Sequence, residues 1–227
     1  MNTASARVLS RRYRPLVFSV KRKVWRQDDA GMESADAEYK AKRPVVLAKG
    51  DDRCVFCGFR SKHTEVHHCN DDHTDNRDEN LAIADPLCHG TQHIGQVGSQ
   101  RHGVLIYFED FPHAEFNHLQ RTIAVALEIG SEAEKREARA LLQHLASRAE
   151  WIASAWGSAH PSDFANALLH LDETAFEQRG SSLAHMLLLY KPVRIKGMIG
   201  RWIEESYASL PMNTWERIHE RACGSSP

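Results

Sequence analysis

Apolar and polar positions along the chain follow two different patterns, and the pattern changes near residue 112. From His113 onward, apolar residues recur every three or four positions, which is the spacing of one face of an α-helix. The stretch "AEFNHLQRTIAVALEIG" ends at Gly130, a residue type common just past a helix, so we expect a helix that ends there. Its residues at helical spacing are Phe116, Leu119, Ile123, Ala126 and Leu127.

Further helices are predicted downstream. Ser131 and Glu134 form a capping box at the start of "SEAEKREARALLQHLASRAEWIASAW", which is predicted to be one long helix. Ser162 is predicted to cap the helix "DFANALLHL". Two more helical patterns, "SSLAHMLLLYK" and "IKGMIGRWIEESYASL", end before prolines, and "NTWERIHERA" is predicted as a last short helix. Leu141, Leu142, Leu145 and Ile152 share one face of the long helix, and the side chains expected to be buried between helices are Leu141, Leu145, Trp202 and Ile203.

The part before residue 112 mixes short strand-like and loop-like segments. Residues 16–25 are predicted as a strand, and "DDAGMESADAEYKAKRP" as a loop that leads into a short helix. "VHH" ends a short strand, "LAIA" returns as a second one, "GQVGSQRHG" is a predicted loop and "VLIYFEDF" a predicted strand. The predicted fold class is therefore α+β: a lead-in over residues 1–44, a small metal-binding module over 45–111 and a mainly α-helical region over 112–227.

Composition and charge narrow the function classes only slightly. The chain of 227 residues is 42% apolar with a formal net charge of -1, so global charge indicates neither nucleic acid nor membrane. No segment approaches the roughly 18 apolar residues of a membrane span, and no signal peptide is recognisable, so we expect a cytoplasmic protein without a membrane span. Residues 1–27, however, contain eight basic residues and no acidic one. Such an arm is either a solvated terminus or a surface for phosphate or an acidic partner, with candidate contacts at Arg11, Arg12, Arg14, Lys21, Arg22 and Lys23.

The five cysteines predict a metal site better than a disulfide framework. Cys54 and Cys57 form a CxxCG turn typical of a zinc knuckle, whereas the redox interpretation of CxxC needs a βαβ context that the flanking residues do not provide. Asp85 and Cys88 repeat the two-residue gap and complete a predicted structural zinc site. Because aspartate is an uncommon structural zinc ligand, a weak site or a different fourth ligand stays open. Cys69 and Cys223 lie outside the pattern.

Histidines predict a second metal site. His89 and His93 lie four residues apart, so a helix would place both on one face, and the "VHH" hairpin would bring His67 close to them. These three imidazoles are within reach of one divalent ion such as Mg²⁺, Mn²⁺ or Zn²⁺. His68 points to the other side of its strand, where it can act as a base beside the metal. The same stretch contains Asn80 between the histidines.

The run of CxxC, "VHH", "NL" and "CHxxxH" resembles the HNH, or ββα-metal, endonuclease motif. The resemblance implies an HNH-like treble-clef module in which His68 is the general base, and His67, His89 and His93 hold the catalytic ion. It also implies that Asn80 braces the loop that orients the base. Where the common zinc-ribbon version of the motif has its third cysteine, this chain has Asp85.

A longer resemblance covers most of the chain. The order of "RCVFCGF", "DDHTDNRDENL", "GVLIYFEDFPHAEFNHL" and "LLLYKPVRIKGMIGRWIEE" is similar to the IcmJ (DotN) proteins of type IVB secretion systems. That resemblance implies an adaptor that docks on a coupling ATPase at the inner membrane and has lost nuclease function, although this chain keeps the histidines. Three hypotheses follow: a metal-dependent DNA endonuclease within a secretion machine, a non-catalytic zinc-stabilised adaptor, and a treble-clef DNA-binding module.

Overall fold

The computed structural model describes residues 13–21, 32–109 and 111–224, and these form an α+β architecture with two small antiparallel sheets among helices. The strands are β1 (Glu65–His68), β2 (Leu81–Ala84), β3 (Gly103–Tyr107) and β4 (Met186–Tyr190). The helices are α1 (Met32–Lys49), α2 (Pro86–Gln92), α3 (Ile94–Ser99), α4 (His113–Ile129), α5 (Glu132–Ser147), α6 (Ala149–Trp156), α7 (Pro161–Leu169), α8 (Glu173–Glu177), α9 (Arg179–Ser182), α10 (Pro192–Trp202) and α11 (Trp215–Gly224). Single helical turns lie at Asp78–Asn80, Ile203–Tyr207 and Met212–Thr214.

The first sheet confirms the predicted hairpin. β1 and β2 pair antiparallel, with His67 opposite Ala82 and His68 opposite Leu81. Asp85 then caps α2 by accepting a hydrogen bond from the Leu87 amide at 3.0 Å. The resulting order of strand, strand and helix occupies residues 65–92. It positions His67, His68 and His89, whereas His93 follows directly after the last residue of α2 and lies outside that helix.

α1 packs on this hairpin. The Asn76 amide donates to the Ala35 carbonyl at 2.9 Å, and Lys42 Nζ donates to the Asn76 carbonyl at 2.6 Å. The predicted short helix is therefore 18 residues long and continues through Pro44. The domain boundary predicted between residues 44 and 45 falls inside it.

The second sheet joins the predicted module to the helical region. β3 confirms the predicted strand at residues 103–107 and pairs antiparallel with β4, with Gly103 opposite Tyr190. The prediction of one helix over "SSLAHMLLLYK" was wrong, because its apolar second half, Met186–Tyr190, is β4 and only its first two residues belong to a helix, α9. All five residues of β4 are buried, so the apolar run has no period that distinguishes a strand from a buried helix.

Two helical boundaries differ from prediction. The expected long helix over residues 131–156 is broken at Arg148, whose Nε donates to the Tyr107 carbonyl, 41 residues earlier, at 3.2 Å. The capping box of Ser131 and Glu134 is confirmed. α7 begins at Pro161, and its cap is His160, whose Nδ1 accepts from the Ser162 amide, so the prediction of a Ser162 cap was wrong.

The predicted loop "GQVGSQRHG" contains most of α3. Its glycine at position 98 serves close packing, because a Cβ there would overlap the backbone of Ser162 at the start of α7. The predicted strand over residues 16–25 forms no regular element in its described part, which is extended and bonds through Ser19 to Thr91 and Ile94. Residues 22–25 lie outside the described residues.

The predictions of burial were mostly confirmed. Leu145 and Trp202 are each 2% exposed, and Ile203 is half-buried against the same core. Leu141 is 40% exposed, so its predicted burial was wrong. It lies at the edge of the α5 stripe whose centre is Ala138 and Leu145. Among the described helices, none combines the length and apolar character needed to cross a membrane.

Candidate functional site

Three cysteines converge on one point, as predicted. Cys54 and Cys57 come from a tight turn closed by Gly58, which has a φ of +69° that favours glycine. Cys88 reaches them from α2, and the three Sγ atoms lie within 4.8 Å of one another. All three side chains are buried, and no disulfide links them. Three soft sulfur donors at this spacing fit a zinc ion.

Hydrogen bonds among the three thiols and their burial shift the thiol pKa values in different directions. Burial opposes ionisation of Cys54, but hydrogen bonds from Cys57 and Cys88 lower its pKa well below the ordinary value. The pKa of Cys57 is raised by its hydrogen bond to Cys54, and burial raises the pKa of Cys88. The Asn117 amide donates to Cys88 Sγ at 3.3 Å, a contact that favours the thiolate. Without a cation, therefore, the cluster holds one sulfur charge more readily than three.

Asp85, the predicted fourth ligand, does not join the group of thiols. Its Oδ1 accepts hydrogen bonds from the Leu87 amide and from Arg121 Nη2, both at 3.0 Å. The guanidinium of Arg121 is fully buried and lies 3.8 Å from the centre of the Phe59 ring. Asp85 therefore caps α2 and neutralises a buried cation, roles that the spacing of the sequence did not indicate.

The three predicted histidine ligands also converge. One ring nitrogen from each of His67, His89 and His93 lies within 4.8 Å of the other two. Glu65 Oε2 lies 2.5 Å from Nδ1 of His89, which leaves Nε2 of His89 directed at Nε2 of His93 at 3.1 Å. Two nitrogen ligands of one tetrahedral zinc ion are about 3.3 Å apart, so the pair fits a shared ion.

Burial keeps His67 and His93 neutral, as metal ligands must be. Desolvation and the neighbouring histidines lower the pKa of His67 to about 3 and that of His93 to about 2. Nδ1 of His67 and Nδ1 of His93 are buried and have no hydrogen-bond partner within the described part of the chain. The unpaired Nδ1 of His93 is not the nitrogen that faces His89, so it is no evidence for the shared ion. The donor set of three imidazoles fits a divalent ion.

His68 lies on the opposite face of β1 and is held by one specific hydrogen bond. Its Nε2 is 3.0 Å from Oδ1 of Asn76. Because the Asn76 amide nitrogen donates to the Ala35 carbonyl, the amide oxygen must face the ring, so Nε2 of His68 is the donor. The other ring nitrogen, Nδ1, makes no hydrogen bond to any described residue. The residue is buried, with 3% of its surface exposed.

Asn80 braces the loop between the two strands. Its Oδ1 accepts from the Asn70 amide at 3.0 Å, and its Nδ2 donates to the Asp75 carbonyl at 2.7 Å. That loop contains His73, whose ring centre is 4.4 Å from that of His68 and 6.0 Å from that of His93. The brace therefore positions the imidazole of His73 near both the predicted base and the candidate metal ligand His93.

Only two members of the predicted basic contact set can be described. Arg14 donates its backbone amide to the Val55 carbonyl at 2.9 Å, and its side chain is exposed. Lys21 is also exposed, at the end of the described N-terminal segment. Arg11, Arg12, Arg22 and Lys23 lie outside the described residues.

Several residues of the two clusters were not predicted. Glu65, His73 and Asn76 all lie in the same polar stretch as the ligands, so their proximity in sequence was an available signal. Asn117 and Arg121 come from α4 and are 29 and 36 residues away from the groups that they contact. No local pattern marks them.

Comparisons with known proteins identify no relative: no protein-family model matches the chain, and no curated protein matches it. The two clusters, Cys54, Cys57 and Cys88 and the three imidazoles of His67, His89 and His93, are thus the features of the chain that bear on its function.

Proposed function

We propose that the protein is a metal-dependent phosphodiesterase of the HNH type that cleaves DNA. One observation carries the proposal: His67, His89 and His93 present nitrogens to a common point, while His68 is held on the neighbouring strand position, and its Nδ1 has no hydrogen-bond partner among the described residues. Metal ligands and a fixed proton acceptor are the parts that metal-assisted hydrolysis needs. The succession of β1, β2 and α2 that supplies them fits the ββα-metal arrangement suggested by the sequence.

Each residue then has a distinct task. A divalent ion held by His67, His89 and His93 would supply Lewis-acid stabilisation of the charge that develops on the phosphate. Nδ1 of His68 accepts a proton from the attacking water as the new O–P bond forms. The P–O ester bond breaks, and the departing oxygen leaves with the electron pair and is protonated by solvent. Asn76 keeps His68 in the required tautomer by accepting from Nε2.

The three imidazole nitrogens of the histidine cluster favour some divalent ions over others. Imidazole nitrogens suit zinc and other transition ions, whereas Mg²⁺ prefers carboxylate and water oxygens. Among the ions considered for this site, three histidines favour Zn²⁺ over Mg²⁺. We assign a second zinc to Cys54, Cys57 and Cys88, where it would stabilise the turn and α2.

Paired measurements of activity and metal content test the proposal. His68→Ala should abolish cleavage of plasmid DNA but leave the bound metal unchanged, because a base does not hold the ion. His89→Ala and His93→Ala should lower both cleavage and metal content. His144→Ala, on the exposed face of α5, is the matched control and should change neither. If the wild-type protein cleaves neither double- nor single-stranded DNA with Mg²⁺, Mn²⁺ or Zn²⁺, the proposed nuclease activity is contradicted.

A specific surface supports a second candidate, the adaptor that the IcmJ (DotN) resemblance suggests. Trp156 is 57% exposed beside a cavity of about 380 Å³ that is also lined by Phe164, Leu168 and Leu171. An exposed apolar surface of this kind suits a helix of a partner such as the coupling ATPase. Trp156→Ser should reduce co-precipitation of that ATPase, whereas Ile218→Ser, an exposed apolar control on α11, should not. Binding of DNA without cleavage or ATPase capture would favour a treble-clef DNA-binding module instead.

A further inference from the structure

A cleft opens beside the histidine cluster. It has a volume of about 290 Å³, and His89 and His93 form part of its wall. α1 contributes Tyr39 and Arg43, and the first turn of α10 contributes Arg194. Gln96 and Gln100 of the α3 segment complete the polar lining. The cleft is thus the access route by which a molecule outside the protein can reach two of the three candidate ligands.

The charge of the cleft favours an anion. Arg43 and Arg194 belong to elements about 150 residues apart in sequence, yet both line the same cavity. Within the described part of the chain, neither guanidinium has a carboxylate oxygen within 4.0 Å. The acidic residue of the lining is Glu65, and its carboxylate is already bonded to His89. Two arginines therefore face a polar cavity next to candidate metal ligands.

We propose that Arg43 and Arg194 bind the non-bridging oxygens of a nucleic acid phosphate and present the strand to His89 and His93. This inference rests on the proposed phosphodiesterase function and names the residues that recognise its substrate. A planar guanidinium matches the oxygens of a phosphate in pairs, which lysine does not. Glutamines at positions 96 and 100 add donors and acceptors for the sugar or the adjacent phosphate.

With these two arginines, the functional site extends beyond the predicted metal-binding module. The module predicted over residues 45–111 contains neither arginine, since one precedes it on α1 and the other lies in the helical region. The helical region would then be part of the substrate site and not only a docking surface. Full-length protein is accordingly required for the test.

Binding can be measured separately from cleavage. A fluorescent single-stranded oligonucleotide with phosphorothioate linkages, which keep their charge and resist hydrolysis, is titrated with zinc-loaded protein. Arg43→Gln and Arg194→Gln should each weaken binding about ten-fold, the loss expected for one charge-assisted contact. Each should also lower the slope of log K against log salt by about 0.7. Arg139→Gln, an exposed arginine on α5, is the control and should bind as wild type.

The outcomes separate this inference from the function on which it rests. Weaker binding by both cleft variants, with zinc content unchanged, supports the arginine site even if the wild-type protein cleaves no DNA. If both variants bind with wild-type affinity and salt slope, the proposed phosphate site at the two arginines is wrong, whereas the proposed nuclease activity is not affected. Failure of the wild-type protein to bind the oligonucleotide at low salt would overturn both.

Discussion

Glu65 Oε2 lies 2.5 Å from Nδ1 of His89, and this contact sets the orientation of the histidine cluster. The carboxylate accepts from Nδ1–H, so Nε2 of His89 carries the lone pair and faces His93. Burial alone would raise the pKa of Glu65, but the bond to His89 and the charges of Arg194 and Arg43 lower it. Glu65 is therefore ionised at neutral pH and holds the candidate metal ligand His89 in place.

Replacing this carboxylate should weaken metal binding without removing a ligand. Glu65→Gln should lower the zinc affinity of the histidine site by about 10- to 100-fold, because an amide holds the imidazole less strongly in the required tautomer. Competition with a fluorescent zinc chelator measures the affinity. Glu115→Gln on α4 provides a carboxylate control. Unchanged zinc affinity in Glu65→Gln would show that the contact has no role in the site.

Loss of one thiol should remove the structural zinc. Cys54→Ser should eliminate one equivalent of zinc and lower the stability by at least about 2 kcal/mol, roughly 4–8 °C for a chain of this size. Thermal unfolding and elemental analysis on the same samples test both effects. Cys69→Ser is the matched control, since Cys69 is a half-buried free thiol outside the cluster. Equal zinc content in the two variants would refute the assignment.

The variant Asp85→Asn distinguishes an ion-pairing role of Asp85 with Arg121 from a role as zinc ligand. Asp85→Asn should destabilise the protein by about 3–5 kcal/mol, because Arg121 would keep a buried charge without its partner. Zinc content should stay the same, since Asp85 does not join the thiol group. Urea unfolding gives the stability, and elemental analysis gives the zinc. Loss of zinc in this variant would restore Asp85 as the fourth ligand.

His113 should make the fold sensitive to acid. Burial lowers the pKa of His113 from 6.5 to about 3, and its Nε2 accepts from the Leu188 amide at 3.3 Å. Between these pH values the unfolded chain binds a proton that the folded chain does not, so stability falls as the pH falls. The contribution of this residue is on the order of 1 kcal/mol per pH unit.

Urea unfolding between pH 7 and pH 4 measures that dependence. His113→Gln should be less stable at neutral pH, because it perturbs the contact with β4, but its stability should fall less steeply with acid. The exposed His170→Gln should keep the wild-type slope. An unchanged slope in His113→Gln would mean that other groups cause the acid sensitivity.

Local sequence patterns were sufficient to predict the segments whose defining contacts are between residues close in sequence. The hairpin and α2 occupy 28 consecutive residues, and the candidate metal ligands on them or directly after them were predicted from residue type and spacing. α4 was predicted from its periodic apolar face, and the start of α5 was predicted from the capping-box residues Ser131 and Glu134. In each case the residues that define the feature are within a few turns of one another.

Tertiary structure alone decided the features that depend on distant partners. β4 was mistaken for a helix because burial on both faces removes the period, and its strand conformation depends on the edge of β3 about 80 residues earlier. Asp85 resembled a zinc ligand by position, yet its Oδ1 accepts from Arg121 on α4 and its carboxylate does not join the thiol group. Arg194 reaches the cleft beside His89 only because α10 packs near the hairpin. The sequence by itself thus determined which side chains can bind metal, whereas long-range packing determined which of them are free to do so and what surrounds them.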